Sequence, residues 1–339
     1  MNANASTDAL LHDTYLIDSD TVGIRLQLRR RRRSDMGRAN SSNTLMLMHG
    51  ATFPSESLFD VSVDGASFMD VLATAGFDVW AVDARGYGGS TRPAEMAAPP
   101  DTAPPLTSAR VAARDLASAV EHVLAENDVE RLSIVAMSWG GSVAGIYAER
   151  HGSHIEKLVL VAPLWLSNHP LRIDAGQPLA AWRLIHVDAF REAWLTGVPS
   201  DRHEAVLPPG WFEQWSAVTK ATDPDAVEPG AMRAPGGAIQ DVREHWLANR
   251  PLYDPSAITA PVLLVHAEWD QDVRIDMIQD LFKRLDSAAY RRWVEIGEGT
   301  HMILMEPSRW QAFDAIIAFL KETLHPLRES SGSTAGAVG

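Results

Sequence analysis

The stretch Arg131-Leu132-Ser133-Ile134-Val135-Ala136-Met137-Ser138-Trp139-Gly140-Gly141 decides the fold. It is an apolar run that stops abruptly at a serine flanked by small residues, the pattern of a strand, a sharp turn and a helix start. A serine in such a turn is pushed beyond the sheet edge only if its backbone takes a strained, positive φ, and a bulky residue two positions away would clash with it. Ala136 and Gly140 occupy those positions. The helix expected from Trp139 directs its first N–H groups and positive dipole end at the serine, which suits an oxyanion formed there. Ser138 is therefore a candidate nucleophile. The same spacing also fits an ordinary helix N-cap, for which serine is favoured, so the rest of the chain has to discriminate.

Outward from this stretch, strands and helices alternate. Upstream, Thr44 to Gly50 and Phe77 to Asp83 are apolar runs of the kind buried on both faces of a sheet, separated by a helix over 67–76. Tyr15 to Arg30 alternates as one or two antiparallel strands turning near residues 18–20, and helical spacing recurs from Ser108 to Asn127. Downstream, Lys157 to Pro163 is a further buried strand. The rhythm breaks at Leu164 and resumes with the strand Pro261 to His266, a helix near 274–285, a strand around 293–296 and a helix over 308–324. This order calls for a mostly parallel sheet covered by helices on both faces. Between 165 and 251 no buried strand is expected; Trp165, Trp182, Trp194, Trp211, Trp215 and Trp246 are spread among helical segments and Pro/Gly turns. We expect a helical insertion after the sixth strand, forming a cap over the sheet. Residues 1–13 are expected to be a flexible lead-in, 93–105 surface coil and 327–339 a disordered tail.

Composition narrows the function. The 339 residues, 46% of them hydrophobic, are ample for a sizeable core. A formal charge of −14 repels nucleic acid and anionic membrane, and no basic stripe offsets it. The run Arg29 to Arg33 is the exception and is read as a solvated hairpin end. No cysteine is present, so neither a disulfide nor a thiol nucleophile is available, which is compatible with a cytoplasmic location. No signal-peptide pattern opens the chain and no apolar run is long enough to span a bilayer. The partner expected is a small-molecule substrate, with the oligomeric state open.

A serine hydroxyl needs a base to take its proton and an acid to orient that base. In a parallel sheet both should come from loops at the carboxyl ends of strands. Two loops fit: Ala267-Glu268-Trp269-Asp270-Gln271-Asp272-Val273 and Gly297-Glu298-Gly299-Thr300-His301-Met302. The first offers both Asp270 and Asp272.

With these loops, the Ala136-x-Ser138-x-Gly140 turn, His49-Gly50 and the Asp83-x-Arg85-Gly86-x-Gly88-x-Ser90 loop, the chain resembles the α/β-hydrolase superfamily over residues 14–164 and 252–326. The resemblance implies Ser138 as nucleophile, Asp270 in preference to Asp272 as the acid, and His301 as the base. It also implies an oxyanion hole of two backbone N–H groups, from Trp139 and from Ala51, with Thr52 the alternative to Ala51. The expected reaction is cleavage of a carboxylic ester, or an amide, through an acyl-enzyme, without metal or organic cofactor. Phe53, Met137 and Trp165 are the expected substrate contacts, in an apolar pocket for a small hydrophobic or aromatic acyl group. Carbon–carbon hydrolases, cofactor-free dioxygenases, hydroxynitrile lyases and acyltransferases of this fold also keep Ser and His, and some members are non-catalytic ligand-binding proteins. His301 acting as base implies an acid limb near pH 6 to 7, about the ordinary histidine value.

Overall fold

The computed structural model describes residues 9–324, so the tail 327–339 and residues 1–8 of the lead-in lie outside the described residues. At the centre of the sheet, strands β3 (Thr44–Met48), β4 (Asp78–Val82), β5 (Leu132–Met137) and β9 (Val262–Ala267) are buried at every position. With β1 (Leu10–Asp18), β2 (Arg25–Arg33), β6 (Ile155–Val161) and β10 (Arg291–Ile296) they form one eight-stranded sheet, ordered β1-β2-β4-β3-β5-β6-β9-β10. β1 and β2 form an antiparallel hairpin and β2 runs antiparallel to β4; every other pairing is parallel.

Alternate residues of each central strand feed opposite cores, as the two-residue period of a strand requires. On one face Met46, Trp80, Ile134, Leu160 and Leu264 pack with the helices Ala109–Asn127, Trp139–His151 and Ile275–Arg284. On the other, Leu45, Val79, Val135, Val161 and Leu263 pack with Phe68–Thr74 and Arg309–Lys321. The helix Phe68–Thr74 starts where its sequence dictates: Ser67 accepts from the Asp70 N–H while the Asp70 carboxylate accepts from the Ser67 N–H, a reciprocal capping box. From β3 the chain moves outward to β4 and then crosses back to β5 on the other side of β3. The reversal opens a crevice at the carboxyl ends of β3 and β5, which is where Gly50 and Ser138 sit.

Four expectations need correction. The insertion after β6 is not purely helical: β7 (Trp182–His186) and β8 (Ala231–Pro235) pair antiparallel as a second, two-stranded sheet, beside helices such as Trp211–Ala221. The lead-in is ordered earlier than residue 14, because β1 starts at Leu10 and pairs Leu10 with Arg33. The segment 93–105 contains two short 3₁₀ turns, and Met96 is buried against Ala181 and Trp182. Finally, Arg29 to Arg33 is not a solvated hairpin end. It lies in β2, where Arg30 and Arg31 are buried; Arg30 bonds both oxygens of Asp78 at 2.7 and 2.9 Å, and Arg31 pairs with Asp60 and Asp70. Among the described residues no helix is long and apolar enough to cross a membrane.

Candidate active site

Ser138 closes β5 with φ 56° and ψ −122°, a conformation that costs energy for any residue with a side chain. It is held there by its N–H donating to the Val161 carbonyl at 2.8 Å, while its own carbonyl accepts from Gly141 and Leu164. A Cβ on Gly140 would lie 2.3 Å from the His49 carbonyl oxygen and 2.7 Å from that of Met48, so the turn can pack against the β3 loop only with glycine there. The N-cap alternative fails on geometry: the Ser138 side chain makes no capping hydrogen bond to the helix Trp139–His151. Its Oγ instead lies 3.0 Å from His301 Nε2.

His301 Nδ1 is 2.8 Å from Asp270 Oδ2, and the other oxygen of Asp270 accepts from the N–H groups of Asp272 and Val273, both at 2.8 Å. A carboxylate satisfied in this way holds the imidazole in one orientation, with Nδ1 protonated and Nε2 toward the serine. The two loops are also tied directly, the Trp269 N–H donating to the Gly299 carbonyl at 2.9 Å. Asp272 makes no bond to His301; it faces the cavity, 3.6 Å from Arg172. Burial favours the neutral imidazole, but the charge and hydrogen bond of Asp270, with the charge of Asp272, outweigh it and raise His301 to about 9. That exceeds the value near 6 to 7 expected from the sequence, because the Asp270 carboxylate bonded to the ring, with a smaller contribution from Asp272, favours the imidazolium. Burial pushes the Asp270 carboxyl upward, and the His301 charge and hydrogen bond with the Val273 N–H bring it below its ordinary value.

Beneath the histidine loop is a group that the sequence did not single out. Glu306 is fully buried; it accepts from the Thr300 N–H at 2.9 Å, from the Thr300 hydroxyl, and from the indole N–H of Trp194 in the insertion at 2.8 Å. Burial raises its carboxyl to about 7 against these donors.

The loop after β3 supplies the facing wall. His49 is buried, and burial holds its ring in the neutral form. Its Nε2 accepts from the Ala84 N–H at 3.0 Å, so Nδ1 carries the proton and donates to the Gly50 carbonyl at 2.7 Å. A trans peptide then turns the Ala51 N–H the opposite way. The Ala51 carbonyl is held in turn by Tyr87 Oη at 2.7 Å and Arg183 Nη2 at 3.0 Å. Asp83 ties this wall to its own loop, accepting from the Ser55 N–H and hydroxyl and from the Gly89 N–H.

Ser138 and His301 open into a cavity of about 240 Å³. Phe53 and Met137 line it as the sequence suggested, beside Ala51 and Thr52, and the insertion contributes Leu171, Arg172, Ile173, Arg183, Ile185 and Phe190. Trp165 does not line it: it is fully buried, its indole N–H donates to Asp280 at 2.7 Å, and its ring packs 5.1 Å from Tyr253. The Trp139 side chain likewise points into the core, donating to Asp241 at 2.9 Å, so only its backbone faces Ser138. No tryptophan lines this cavity. Trp194 and Trp215 instead form an aromatic cluster behind Phe53 and Phe190, with Phe53 and Trp215 4.9 Å apart. Arg183 could have been noticed as a lone charge inside the apolar run Trp182 to Ile185, but nothing local says what it faces.

Among the described residues one donor set has metal-ligand spacing: atoms of Asp270, Asp272 and His301 lie within 4.8 Å of one another. A cation there would have to break the Asp270–His301 hydrogen bond, so the set fits proton transfer better than metal binding.

Comparison with known proteins agrees with this fold. A family model described as serine aminopeptidase, S33, matches residues 42–308. No curated protein matches the chain. Among solved structures, 2-hydroxy-6-oxo-6-phenylhexa-2,4-dienoate hydrolase from Rhodococcus sp. strain RHA1 aligns over 92% of this chain and 99% of its own, with 16% identity and a TM-score of 0.60. A thermophilic esterase from Thermogutta terrifontis aligns over 91% and 98%, with 17% identity and a TM-score of 0.59. E-2-(acetamidomethylene)succinate hydrolase aligns over 92% and 100%, with 17% identity and a TM-score of 0.59. At these identities the likeness establishes the fold, and the family match over most of the chain establishes the rest: this protein is a hydrolase of the α/β-hydrolase superfamily and belongs to the serine aminopeptidase S33 family.

Proposed function

We propose that this chain is a serine hydrolase that cleaves carboxylic esters of small substrates through an acyl-enzyme. The observation that carries the reading is the unbroken relay from Ser138 Oγ to His301 Nε2 at 3.0 Å and from His301 Nδ1 to Asp270 Oδ2 at 2.8 Å. Neutral His301 takes the hydroxyl proton as Ser138 Oγ bonds the substrate carbonyl carbon, and the carbonyl electrons move onto oxygen. Two N–H groups meet that oxyanion. Trp139 supplies one, since the first N–H of a helix has no intrahelical partner, and Ala51 supplies the other, its N–H turned away from the Gly50 carbonyl that His49 holds. Collapse expels the alkoxide, which leaves with the proton from His301; a water, deprotonated by His301, then releases the acid and regenerates Ser138. Asp270 stays ionised throughout.

The insertion acts as a cap in this reading, because it furnishes seven of the eighteen residues that line the cavity over Ser138. The remaining partners are those of a soluble small-molecule enzyme, without nucleic acid or membrane. The test is labelling with a fluorophosphonate, which needs an activated serine but no knowledge of the acyl group. Wild type should form one adduct, on Ser138, and hydrolyse p-nitrophenyl esters; Ser138→Ala should do neither. Folded wild-type protein that takes no label would overturn the proposal.

A further inference from the structure

Buried arginines in this protein come with carboxylates. Arg30 has Asp78, Arg85 has Asp115, Arg233 has Asp223, and Arg31 has Asp60 and Asp70. Arg183, partly buried at the cavity wall, has none among the described residues. It projects from β7 into the cavity, where Nη2 donates to the Ala51 carbonyl at 3.0 Å and to the Thr52 hydroxyl at 2.7 Å. Its Nε is buried without any hydrogen-bond partner, and no carboxylate among the described residues is within ion-pair distance of the guanidinium. Burial accordingly depresses its pKa, the nearby Tyr87 hydroxyl offsetting little of this.

An enclosed cation with spare donors is costly unless something negative completes it. The chain carries 44 acidic residues, and none of the described ones does so from within. A guanidinium stays charged and presents planar paired donors that match a carboxylate. A second arginine, Arg172, lines the same cavity, and the one acidic side chain on the wall, Asp272, is already opposed by it at 3.6 Å. The balance of charge facing a ligand is therefore positive. An aminopeptidase substrate would bring an ammonium group, which this wall repels.

We infer that Arg183 forms an anion subsite in the cavity, so that the substrate carries a carboxylate on the part held beside Ser138, as in a monoester of a short dicarboxylic acid. This rests on the esterase reading for the word substrate, but the subsite itself does not. A bound carboxylate would accept from Nη1 of Arg183, because Nη2 already donates to Ala51 and Thr52 and Nε is closed off from the cavity, while the scissile carbonyl faces Ala51 and Trp139 and the apolar wall of Phe53, Met137 and Ile185 would cover the chain between the two groups.

The test separates the two claims by measuring binding in protein that cannot turn over. Titration calorimetry on Ser138→Ala would compare the monomethyl esters of succinic, glutaric and adipic acids with their dimethyl esters, which match them in shape and lack the charge. At least one monoanion should bind at least about tenfold more tightly than its neutral partner. Adding Arg183→Gln should abolish that preference, and Arg183→Lys, which keeps the charge without the fork, should retain part of it. With Ser138 restored, the ratio of kcat/KM for charged over neutral p-nitrophenyl hemiesters should fall by the same factor in Arg183→Gln. If Arg183 merely props the Ala51 loop, both esters would lose rate equally and the ratio would stand, which overturns the subsite. Equal binding of charged and neutral ligands to the Ser138→Ala protein also overturns it. If the anion preference holds while wild type resists fluorophosphonate, the subsite survives and the hydrolase reading fails.

Discussion

His301 shows how much a single residue's behaviour depends on neighbours distant in sequence. Asp270 and Asp272 are both carboxylates on one loop, yet only Asp270 reaches Nδ1, while Asp272 acts on the ring by charge alone. Since His301 must be neutral to accept the serine proton, and its pKa is raised to about 9, kcat/KM should climb with pH well past the ordinary histidine value. A pH–rate profile already flat above pH 6 would contradict this. Asp272→Asn removes one of the two charges and should move the acid limb downward with little loss of limiting rate. Asp270→Asn should cost about 10⁴ in kcat, because the ring then loses its orienting acceptor. The same pair of variants, measured side by side, tests the choice of acid: a reversed ranking would reassign it.

At the scale of elements, two joints hold the site together. The first is the close approach of the turn at Ser138 to the loop after β3, which admits no side chain on Gly140. Gly140→Ala should cost about 1–3 kcal/mol of stability by overpacking against backbone that has nowhere to move, and should abolish fluorophosphonate labelling in whatever protein remains folded. Denaturant unfolding and labelling together check this. The second joint is Glu306, which links the histidine loop to Trp194 of the insertion. Its folded carboxyl keeps its proton up to about 7, while the unfolded one ionises near its ordinary 4.5. The resulting stabilisation is complete below the unfolded value and is lost as pH rises through about 7. Wild type should therefore lose thermal stability relative to Glu306→Gln between pH 5 and 8; parallel melting curves would show the carboxyl is ionised in the folded protein. The need for a small residue at position 140 was legible in the sequence, but the loop that Gly140 meets and the Glu306 joint were not, since each depends on a contact between segments whose relative placement no local pattern encodes.

For the whole molecule, the sheet's buried ion pairs matter more than the count of surface charges. Arg30 and Asp78 lie on adjacent strands β2 and β4, joined also by Asn127 at the end of the helix Ala109–Asn127. Replacing Arg30 with Met should strand a buried carboxylate and cost about 3–5 kcal/mol, read from urea unfolding. A loss under 1 kcal/mol would mean that the pair is solvated after all. The arginine run was misread from sequence because five consecutive like charges ordinarily repel and seek water. Strand alternation and the acidic residues on β4 and on the segments packed against β2 reverse that outcome, and those neighbours are supplied only by folding.

The order of strands and helices, the existence of an insertion after β6, and Ser138, His301 and the loop of Asp270 and Asp272 as candidates could be read from the chain itself. Each is carried by local signals: buried apolar runs, glycine-rich turns, and chemistry-bearing residues at strand ends. What lines the cavity was decided by the tertiary structure. Aromatic residues mark apolar surface without saying which surface, so Trp165 went to the core, whereas β7 and β8, 45 residues apart from His186 to Ala231, came together to bring Arg183 to the cavity of Ser138. Burial depends on the sum of all contacts, and a short sequence window contains only a few of them.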